Sequence, residues 1–371
     1  MNIIVNKNLM VSALSNVTRA VAAKSPILAL EGILLTAFNN SLTLTGYDLE
    51  MGIITSLEAN VKADGKIVLS AKLFFDMIRS ISCEEISIST DDKLLTTIKG
   101  GATEYTILGL SPEDYPELPA IENGDIIKIG QQTLRSMINQ TLFSIATVDS
   151  KPTHKGSLFD IENKHLNLVS VDGYRLAMRN EIVETNQDCQ FIVPGKTLSE
   201  IAKLIKEDKD DDEKVEMIVS RKHIIFKIDG YNVVSRLIEG EFLDYKSAIP
   251  GPVTTEVIVS VKEFLESIDR TSLLISEKLR SPLRITFEKN CISILCTTSI
   301  GKAFDTCNCS LEGETVEIGF HNRYLQDALK ASGCEEIKLL LGGPLAPMRM
   351  VPLGGQNFLF LVLPVRLKTQ G

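Results

Sequence analysis

SAKLFFDMIRSI, residues 70–81, is the first of three similar stretches, and the other two are PGKTLSEIAKLIKE (194–207) and HNRYLQDALKAS (321–332). Each stretch has apolar residues at the spacing of an amphipathic helix. Lys72, Lys196 and Arg323 occupy corresponding positions, separated by 124 and 127 residues. The chain therefore carries one unit three times, and such repetition determines the architecture before any single motif does.

A second helical pattern opens each third of the chain. Its apolar positions are Met10, Leu14, Val17 and Val21, then Leu134, Ile138, Leu142 and Ile145, then Phe264, Leu265 and Ile268. Alternating apolar runs between the helices predict strands at 41–53, 165–178 and 291–304. Each unit thus reads helix, strands, helix, strands. The connections between strands are mostly too short for crossovers, which predicts an α+β fold with antiparallel sheets.

Related loops mark the ends of the first two units. LGLSPEDYPELP (108–119) and LIEGEFLDYKSAIP (237–250) both place Asp-Tyr before a linker that contains proline. We therefore expect three domains, at 1–122, 123–252 and 253–371. Three such units in one chain would extend or curve into an arc.

The balance of charge is acidic, with 39 Lys and Arg against 48 Asp and Glu and a formal net charge of −9. Net charge does not report how charge is distributed. Basic residues on or beside the predicted helices are Arg19, Lys24, Lys72, Arg79, Arg135, Lys196, Lys203 and Arg323. If the helices cover one face of the sheets, these residues form a positive inner surface. Such a surface suits a phosphate backbone without reading bases, although solvated helix faces also carry Lys and Arg.

Sequence motifs for catalysis are largely missing. The chain has no GxxxxGK[ST], GxGxxG, HExxH or GxSxG pattern. VDGYRLAM (171–178) offers Asp172 as a base and Arg175 as an anion clamp, but nothing nearby supplies a nucleophile. The other interpretation is a structural Asp-Gly turn in which Arg175 pairs with a carboxylate. We expect no enzyme activity and no cofactor.

Metal binding and secretion are also disfavoured. The spacing of Cys291, Cys296, Cys307 and Cys309 matches no zinc pattern. The acidic run 208–213 lacks the glycine and distal glutamate of a calcium loop. Seven scattered cysteines, no signal peptide and no stretch of 18 apolar residues predict a cytoplasmic protein with reduced thiols.

The C-terminal sequence NFLFLVLPVRL (357–367) is apolar nearly to its end. Phe358–Val362 reads as a buried last strand, which Pro364 ends. Leu363, Val365 and Leu367 are then left with few elements to cover them. This segment could bind a partner or pack onto the second domain.

Six motifs together carry a family resemblance: LTLTGYDLEM, SAKLFFDMIR, SVDGYRLAM, VPGKTLSEIAKLI, EFLDY and LPVRL. In their order and spacing the chain resembles the bacterial sliding clamp family, the β subunit of the replicative DNA polymerase III, over its whole length. The resemblance implies a head-to-tail homodimeric ring of six domains, with helices lining a central hole and sheets outside. It implies that the ring encircles duplex DNA and tethers the polymerase after an ATP-driven clamp loader has placed it there.

The resemblance also implies a groove that binds short linear motifs of the polymerase α subunit, the clamp loader, other polymerases and repair proteins. The positions that match are Val171, Gly173, Tyr174, Arg175, Leu176, Leu243, Ser247, Ala248, Leu279, Tyr324, Leu345, Pro347, Val362, Leu363, Pro364, Val365 and Arg366. Departures from the family pattern occur at His321, Ser247, Tyr174, Leu363 and Val365, which would alter peptide preference. Lys368–Gly371 extend beyond the family's usual end.

For the dimer, the resemblance implies apolar contacts by Tyr105 and Ile107 on a first-domain strand and by Leu273 and Leu274 in a third-domain helix. Continuing a sheet across this contact would close exposed strand edges. The alternative to a clamp is a three-repeat interaction scaffold that does not encircle DNA. An enzyme centred on Asp172 and Arg175 is the third interpretation.

Overall fold

A computed structural model describes residues 1–121, 124–148, 151–207, 213–276, 279, 281–355 and 357–367. Most of the acidic run, 208–212, and the extension Lys368–Gly371 lie outside the described residues. The chain packs as two units, one made of Met1–Gln132 with Glu200–Leu237 and the other of Thr133–Ser199 with Ile238–Gly371. The middle third of the sequence contributes to both units.

Two antiparallel sheets form the first unit. The five-stranded sheet has the order β5 (Asn60–Ala63), β1 (Asn2–Asn6), β7 (Glu85–Thr90), β8 (Leu95–Gly100) and β9 (Thr103–Leu108). The eight-stranded sheet has the order β10 (Asp125–Gly130), β15 (Lys214–Val219), β16 (His223–Ile228), β17 (Tyr231–Arg236), β4 (Met51–Glu58), β3 (Ser41–Tyr47), β2 (Gly32–Phe38) and β6 (Gly65–Ser70). Helices α1 (Lys7–Val17) and α2 (Ala71–Ser80) pack against each other.

The second unit also has two antiparallel sheets. The nine-stranded sheet has the order β14 (Cys189–Pro194), β11 (Gly156–Glu162), β12 (His165–Val171), β13 (Arg175–Ile182), β26 (Phe358–Val362), β25 (Met348–Val351), β24 (Glu336–Leu341), β18 (Thr255–Ser260) and β22 (Ser310–Gly313). The four-stranded sheet has the order β21 (Gly301–Asn308), β20 (Cys291–Thr298), β19 (Leu283–Glu288) and β23 (Val316–Phe320).

Helices α6 (Val261–Thr271) and α7 (Asn322–Ser332) pack against each other in this second unit. Its core includes the fully buried rings of Phe264, Phe287 and Phe320. A single helical turn, α5 (Tyr245–Ala248), lies in the Asp-Tyr loop. The remaining helices, α3 (Gln131–Thr141) and α4 (Gly195–Leu204), have residues in both units.

The order of elements confirms the threefold repetition. Each third has a strand, a helix, a group of strands, a second helix and three further strands. The predicted α+β class and antiparallel pairing are confirmed, since every strand pair in the described part of the chain is antiparallel. The strand before each first helix was not predicted, because β1, β10 and β18 continue directly into the helices that follow.

The helices α1 and α3 end before their apolar patterns do, whereas α6 contains its whole pattern. Each of the three helices is followed by a single 3₁₀ turn, at Thr18–Ala20, Leu142–Ser144 and Ser272–Leu274. A threonine stands at each junction, and the hydroxyls of Thr18, Thr141 and Thr271 all donate to the carbonyl four residues before. Such back-bonding competes with the helical ladder and bends it. Val21, Leu142 and Ile145 are therefore outside the helices, and so are Leu273 and Leu274, whose placement in a third-domain helix was wrong.

Candidate functional site

The turn between β12 and β13 is held by the side chain of Asp172. Its Oδ1 accepts hydrogen bonds from the backbone N–H of Tyr174 at 2.9 Å and of Arg175 at 3.1 Å. Gly173 has φ +91°, a left-handed conformation that glycine adopts without steric cost. The Asp172 carboxylate is thus engaged within its own turn, which is the structural interpretation rather than the catalytic one.

The first third contains the same turn between β3 and β4. There Oδ1 of Asp48 accepts from the N–H of Glu50 at 3.0 Å and of Met51 at 2.7 Å. The residue that follows the aspartate, Leu49, also has a positive φ, +75°. Met51 stands where Arg175 stands in the second copy, so the first copy has no cation at this position.

Arg175 is nearly buried and has carboxylates on two sides. Its Nε lies 2.9 Å from Oδ2 of Asp172, and its Nη1 lies 2.6 Å from Oδ2 of Asp327 on α7. The guanidinium carbon also lies 4.7 Å from the ring centre of Tyr324 and 5.4 Å from that of Phe143. Charge pairing and cation–π contact together fix the turn to α7 within this unit.

A cavity of about 1000 Å³ opens beside Arg175 within the second unit. Its lining residues are Ile145, Thr147, Asp172, Arg175, Ile275, Ser276, Ser281, Pro282, His321, Asn322, Arg323, Tyr324, Gln326, Asp327 and Val365. Its volume is at the upper end of the range for sites that bind small ligands. The structure therefore brings three predicted groove residues, Arg175, Tyr324 and Val365, to one cavity.

Aromatic rings form one side of this site. The rings of His321 and Tyr324 stack with centres 4.5 Å apart, and those of Tyr174 and Tyr324 stack at 5.8 Å. Burial, followed by the negative charge of Asp172, raises the pKa of Tyr324 above its ordinary value. Tyr324 consequently stays neutral and offers its ring and hydroxyl to a ligand.

The C-terminal segment after β26 runs from the turn to the strand β23. β26 ends at Val362 as predicted. The N–H of Leu363 donates to the carbonyl of Tyr174 at 2.9 Å, and the N–H of Val365 donates to the carbonyl of Gly319 at 2.8 Å. A Cβ on Gly319 would lie 2.4 Å from the Val365 carbonyl oxygen, so this close approach requires glycine.

The apolar side chains of this segment remain partly accessible while its backbone is bound. Leu363 is 38% exposed and Val365 is 39% exposed. Arg366 is exposed and Pro364 is half-buried. The segment is therefore a fixed strip with apolar side chains open to a partner.

The Asp-Tyr loop is anchored by Tyr245. This buried ring packs in a cluster with Val171, Leu176 and Leu361. Its hydroxyl donates to Oδ2 of Asp160 at 2.5 Å. Leu243, Ser247 and Ala248 on the same loop are exposed.

Asp160 is a buried carboxylate that remains ionised. Burial would raise its pKa, but hydrogen bonds from Tyr245 and Gln190 outweigh that effect and hold the pKa below its ordinary value. Burial and the bond to Asp160 raise the pKa of Tyr245. Attraction by Asp160, 3.5 Å away, contributes most to a raised pKa of Lys246. At neutral pH, the bonds of Asp160 to Tyr245 and Lys246 therefore anchor the base of the Asp-Tyr loop to the sheet.

The other predicted groove residues occupy different settings. Val171, Leu176 and Val362 are buried in the sheet and support the site from below. Leu345 is exposed, and Leu279 and Pro347 are half-buried. None of these residues, nor Leu243, Ser247 or Ala248, lines the described cavity.

Several lining residues were missed by sequence reasoning. Ile275 and Pro282 are in loops, where periodic patterns carry no information, and Ile145 was predicted as part of a helix rather than as a site residue. Asp327 lies three residues after Tyr324 on α7, a spacing that places two side chains on one helix face. That spacing was the available signal for the partner of Arg175.

The basic residues predicted to face nucleic acid differ in their surroundings. Glu200 lies 3.8 Å from Arg19 and 2.7 Å from Lys203, so one carboxylate partly neutralises both. Arg79 pairs with Asp76 at 3.3 Å. Arg135 is half-buried, whereas Lys24, Lys72 and Lys196 are exposed. Arg323 is exposed too, but it lines the cavity beside Tyr324.

Two sheet edges carry exposed apolar side chains. β9 is an edge strand of the five-stranded sheet, where Leu108 is 72% exposed and Tyr105 and Ile107 are half-buried. β21 is an edge strand of the four-stranded sheet, where Phe304 is 64% exposed. Leu108 and Phe304 were not among the residues that the sequence predicted for the dimer contact.

The 3₁₀ turn Ser272–Leu274 packs against β21. Leu273 is 83% exposed, whereas Leu274 is half-buried and packs on the core. Leu273 on this turn, Phe304 on β21 and Ile300, which directly precedes β21, are exposed apolar residues. We call these three residues the β21 patch. Of the two predicted leucines, only Leu273 presents its side chain there.

Within the described residues, no group of three or more His, Cys, Asp or Glu side chains is arranged to hold a metal ion. Nor is any described helix long and apolar enough to cross a membrane.

Comparison with protein families gives a match along nearly the whole chain. Models of the DNA polymerase III beta subunit match in three parts: the N-terminal domain at residues 1–119, the central domain at 128–244 and the C-terminal domain at 246–366. The matches follow each other in the order of the three repeats.

Individual relatives agree with the family models. The chain is 32% identical to the beta sliding clamp of Halalkalibacterium halodurans, over 99% of this chain and 100% of that protein. The crystal structure of the DNA polymerase sliding clamp from Bacillus subtilis is similar at 29% identity with a TM-score of 0.95, covering 99% of this chain and 100% of that chain. The DNA polymerase III subunit beta from Pseudomonas aeruginosa has 25% identity and a TM-score of 0.92, over 99% and 100% of the two chains.

Proposed function

Because the chain belongs to the bacterial beta sliding clamp family, the DNA polymerase III beta subunit, we propose that two copies close into a six-domain ring around duplex DNA. Its function is that of a sliding clamp, a processivity factor of DNA replication. The ring holds the replicative polymerase on its template by topology, without catalysis by its own residues. It acts in the cytoplasm, where the bacterial chromosome is replicated.

The single observation that carries the ring is the pair of open sheet edges, β9 and β21. An exposed edge with apolar side chains pairs readily with another chain unless something covers it. The other edge of the four-stranded sheet, β23, is occupied by the Val365 backbone. We propose that β9 of one protomer pairs with β21 of its partner, and that the same contact repeated twice closes the ring.

The DNA contact is electrostatic in this proposal. Lys24, Lys72 and Lys196 are exposed lysines that can reach phosphates. Such contacts release counterions without reading sequence, so the ring is free to slide.

The groove recruits partners. Its proposed ligands are short linear motifs of the replicative polymerase α subunit, the clamp loader, other polymerases and repair proteins. The cavity at Tyr324 supplies a pocket, and Leu363 and Val365 supply apolar contact.

Reversal of the helix lysines tests the DNA contact. A protein carrying Lys72→Glu and Lys196→Glu should lose retention on nicked circular plasmid about tenfold at roughly 150 mM salt, with a shallower salt dependence, because repulsion replaces phosphate contacts. Dimer mass and peptide affinity should not change. Gel filtration after loading by the cognate loader and ATP measures this.

The matched control has Lys164→Glu and Lys289→Glu, two exposed lysines in strand turns. This protein undergoes the same change of charge and should be retained normally. Equal losses in both proteins would show that net charge, rather than the helix lysines, determines retention.

A scaffold that never encircles DNA is the second candidate function. It is favoured by the same exposed groove residues and needs no positive lining. In that case the Lys72 and Lys196 substitutions would leave every measurable activity of the protein intact.

A further inference from the structure

Some charged side chains around the cavity are paired with a side chain of opposite charge, and others are not. Asp172 and Asp327 are both committed to Arg175, at 2.9 and 2.6 Å. Gln326, also in the lining, donates to Asp269 at 2.7 Å. The two lining carboxylates are therefore both paired with the Arg175 guanidinium.

Arg323 is different from Arg175. Its side chain is exposed and lines the cavity, and no carboxylate of the described residues forms an ion pair with it. The lining residues that precede it, His321 and Asn322, carry no negative charge. Asp327, one helical turn after it, is paired with Arg175 instead. No acidic residue stands in the first turn of α7 to offset it.

The position of Arg323 also argues against its predicted contact with duplex DNA. Arg323 lines the cavity of about 1000 Å³ together with Tyr324 and Val365. A cavity of this size accepts a few side chains of a peptide and does not admit a double helix. Alignment with Lys72 and Lys196 indicated the helix position of Arg323 but not which surroundings its side chain has.

We infer that Arg323 is a specificity determinant of the groove, which pairs with a carboxylate of the bound peptide. This inference rests on the proposed peptide-binding function. The ligand it selects is a short apolar segment that carries one negative charge beside its apolar anchors. An arginine–carboxylate pair at a partly enclosed site is charge-assisted and directional, and so contributes to selection among apolar peptides.

The carboxylate can come from an aspartate or glutamate side chain, or from the free C-terminus of a partner. Two displayed libraries of random nine-residue peptides separate these sources. One library presents the peptides inside a loop of the display protein, and the other presents them at a free C-terminus. Selection on the immobilised wild-type protein should enrich Asp or Glu in the first library if side chains are the source, and apolar C-terminal peptides in the second if the terminus is.

Variants of the full-length protein provide the decisive comparison. Arg323→Glu should abolish the acidic enrichment and weaken the best selected peptide about tenfold, whereas Arg323→Lys should restore part of the affinity because it keeps the charge. Lys330→Glu is the matched control, since it makes the same change near the other end of α7 and should leave selection unchanged. Replacing the peptide's carboxylate by an amide should remove the difference between wild type and Arg323→Glu.

The possible results of these selections separate failure of the inference about Arg323 from failure of the proposed groove. Selection of apolar peptides with no carboxylate preference, or the same preference in Arg323→Glu, would overturn the inference while leaving the groove intact. Failure of the wild-type protein to enrich any peptide would overturn the groove itself. Arg323→Glu is expected to be retained on plasmid DNA at the wild-type level. A loss of retention as large as that of the Lys72→Glu, Lys196→Glu protein would show that Arg323 contacts DNA and would overturn the inference.

Discussion

A protein that carries both Leu273→Asp and Phe304→Asp is expected to be a monomer instead of a dimer. Both side chains belong to the β21 patch, and they are 83% and 64% exposed in the single chain. Burial of each at a protomer contact contributes about 1.5–3 kcal/mol, and a buried unpaired carboxylate adds a further cost. Both contacts of the ring carry both substitutions, so the loss is incurred twice.

Sedimentation velocity at about 1 μM protein measures the result. The wild type should sediment as a dimer and the Leu273→Asp, Phe304→Asp protein as a monomer with an unchanged melting temperature. Leu274 is left unaltered because its side chain packs on the core, and a charge there would damage the fold.

The matched control carries Leu345→Asp and Leu353→Asp, two exposed leucines that are not part of the β21 patch. It should remain a dimer. A dimer in both proteins would mean that the β21 edge is not the protomer contact.

Deletion of Leu363–Gly371 is expected to abolish peptide binding while the dimer survives. The deletion removes the backbone bonds to Tyr174 and Gly319 together with the apolar side chains of Leu363 and Val365. Loss of two partly exposed apolar anchors from a small groove should weaken binding by at least about 100-fold. Fluorescence anisotropy with a labelled peptide selected on the wild-type protein measures the affinity.

Two further variants distinguish lost contacts from a disturbed sheet. Leu363→Asp with Val365→Asp keeps the backbone bonds of the segment and should still lose binding. Removal of Lys368–Gly371 alone keeps all the described contacts and should bind normally. Wild-type affinity in the Leu363→Asp, Val365→Asp protein would show that the groove lies elsewhere.

Repetition explains why much of the fold could be predicted from the sequence. The period brings three copies of each pattern, so a helix supported weakly in one third, such as α6, is supported by its counterparts. The 3₁₀ turns could not be predicted because Leu142 and Ile145 continue the helical spacing. The hydroxyl bond of Thr141 to the carbonyl of Met137, which ends that regularity, is a matter of local geometry.

The site was less accessible to sequence reasoning. The turn at Asp172 and the end of the last strand before Leu363 depend on neighbouring residues in the sequence, and both were predicted. The partner of Arg175 was not, because Asp327 is 152 residues away in the chain. The cavity that Arg323 lines could not be predicted either, since alignment of helix positions does not show what a side chain faces. Its contact with DNA stays a prediction.

The most direct test of the central claim compares retention on circular and linear DNA. The wild-type protein is loaded onto nicked circular plasmid with its cognate loader and ATP, and half the sample is then cut once with a restriction enzyme before gel filtration. A ring that encircles DNA should stay on the circles and run off the cut molecules. Equal retention on both forms would show ordinary surface binding and would contradict the clamp.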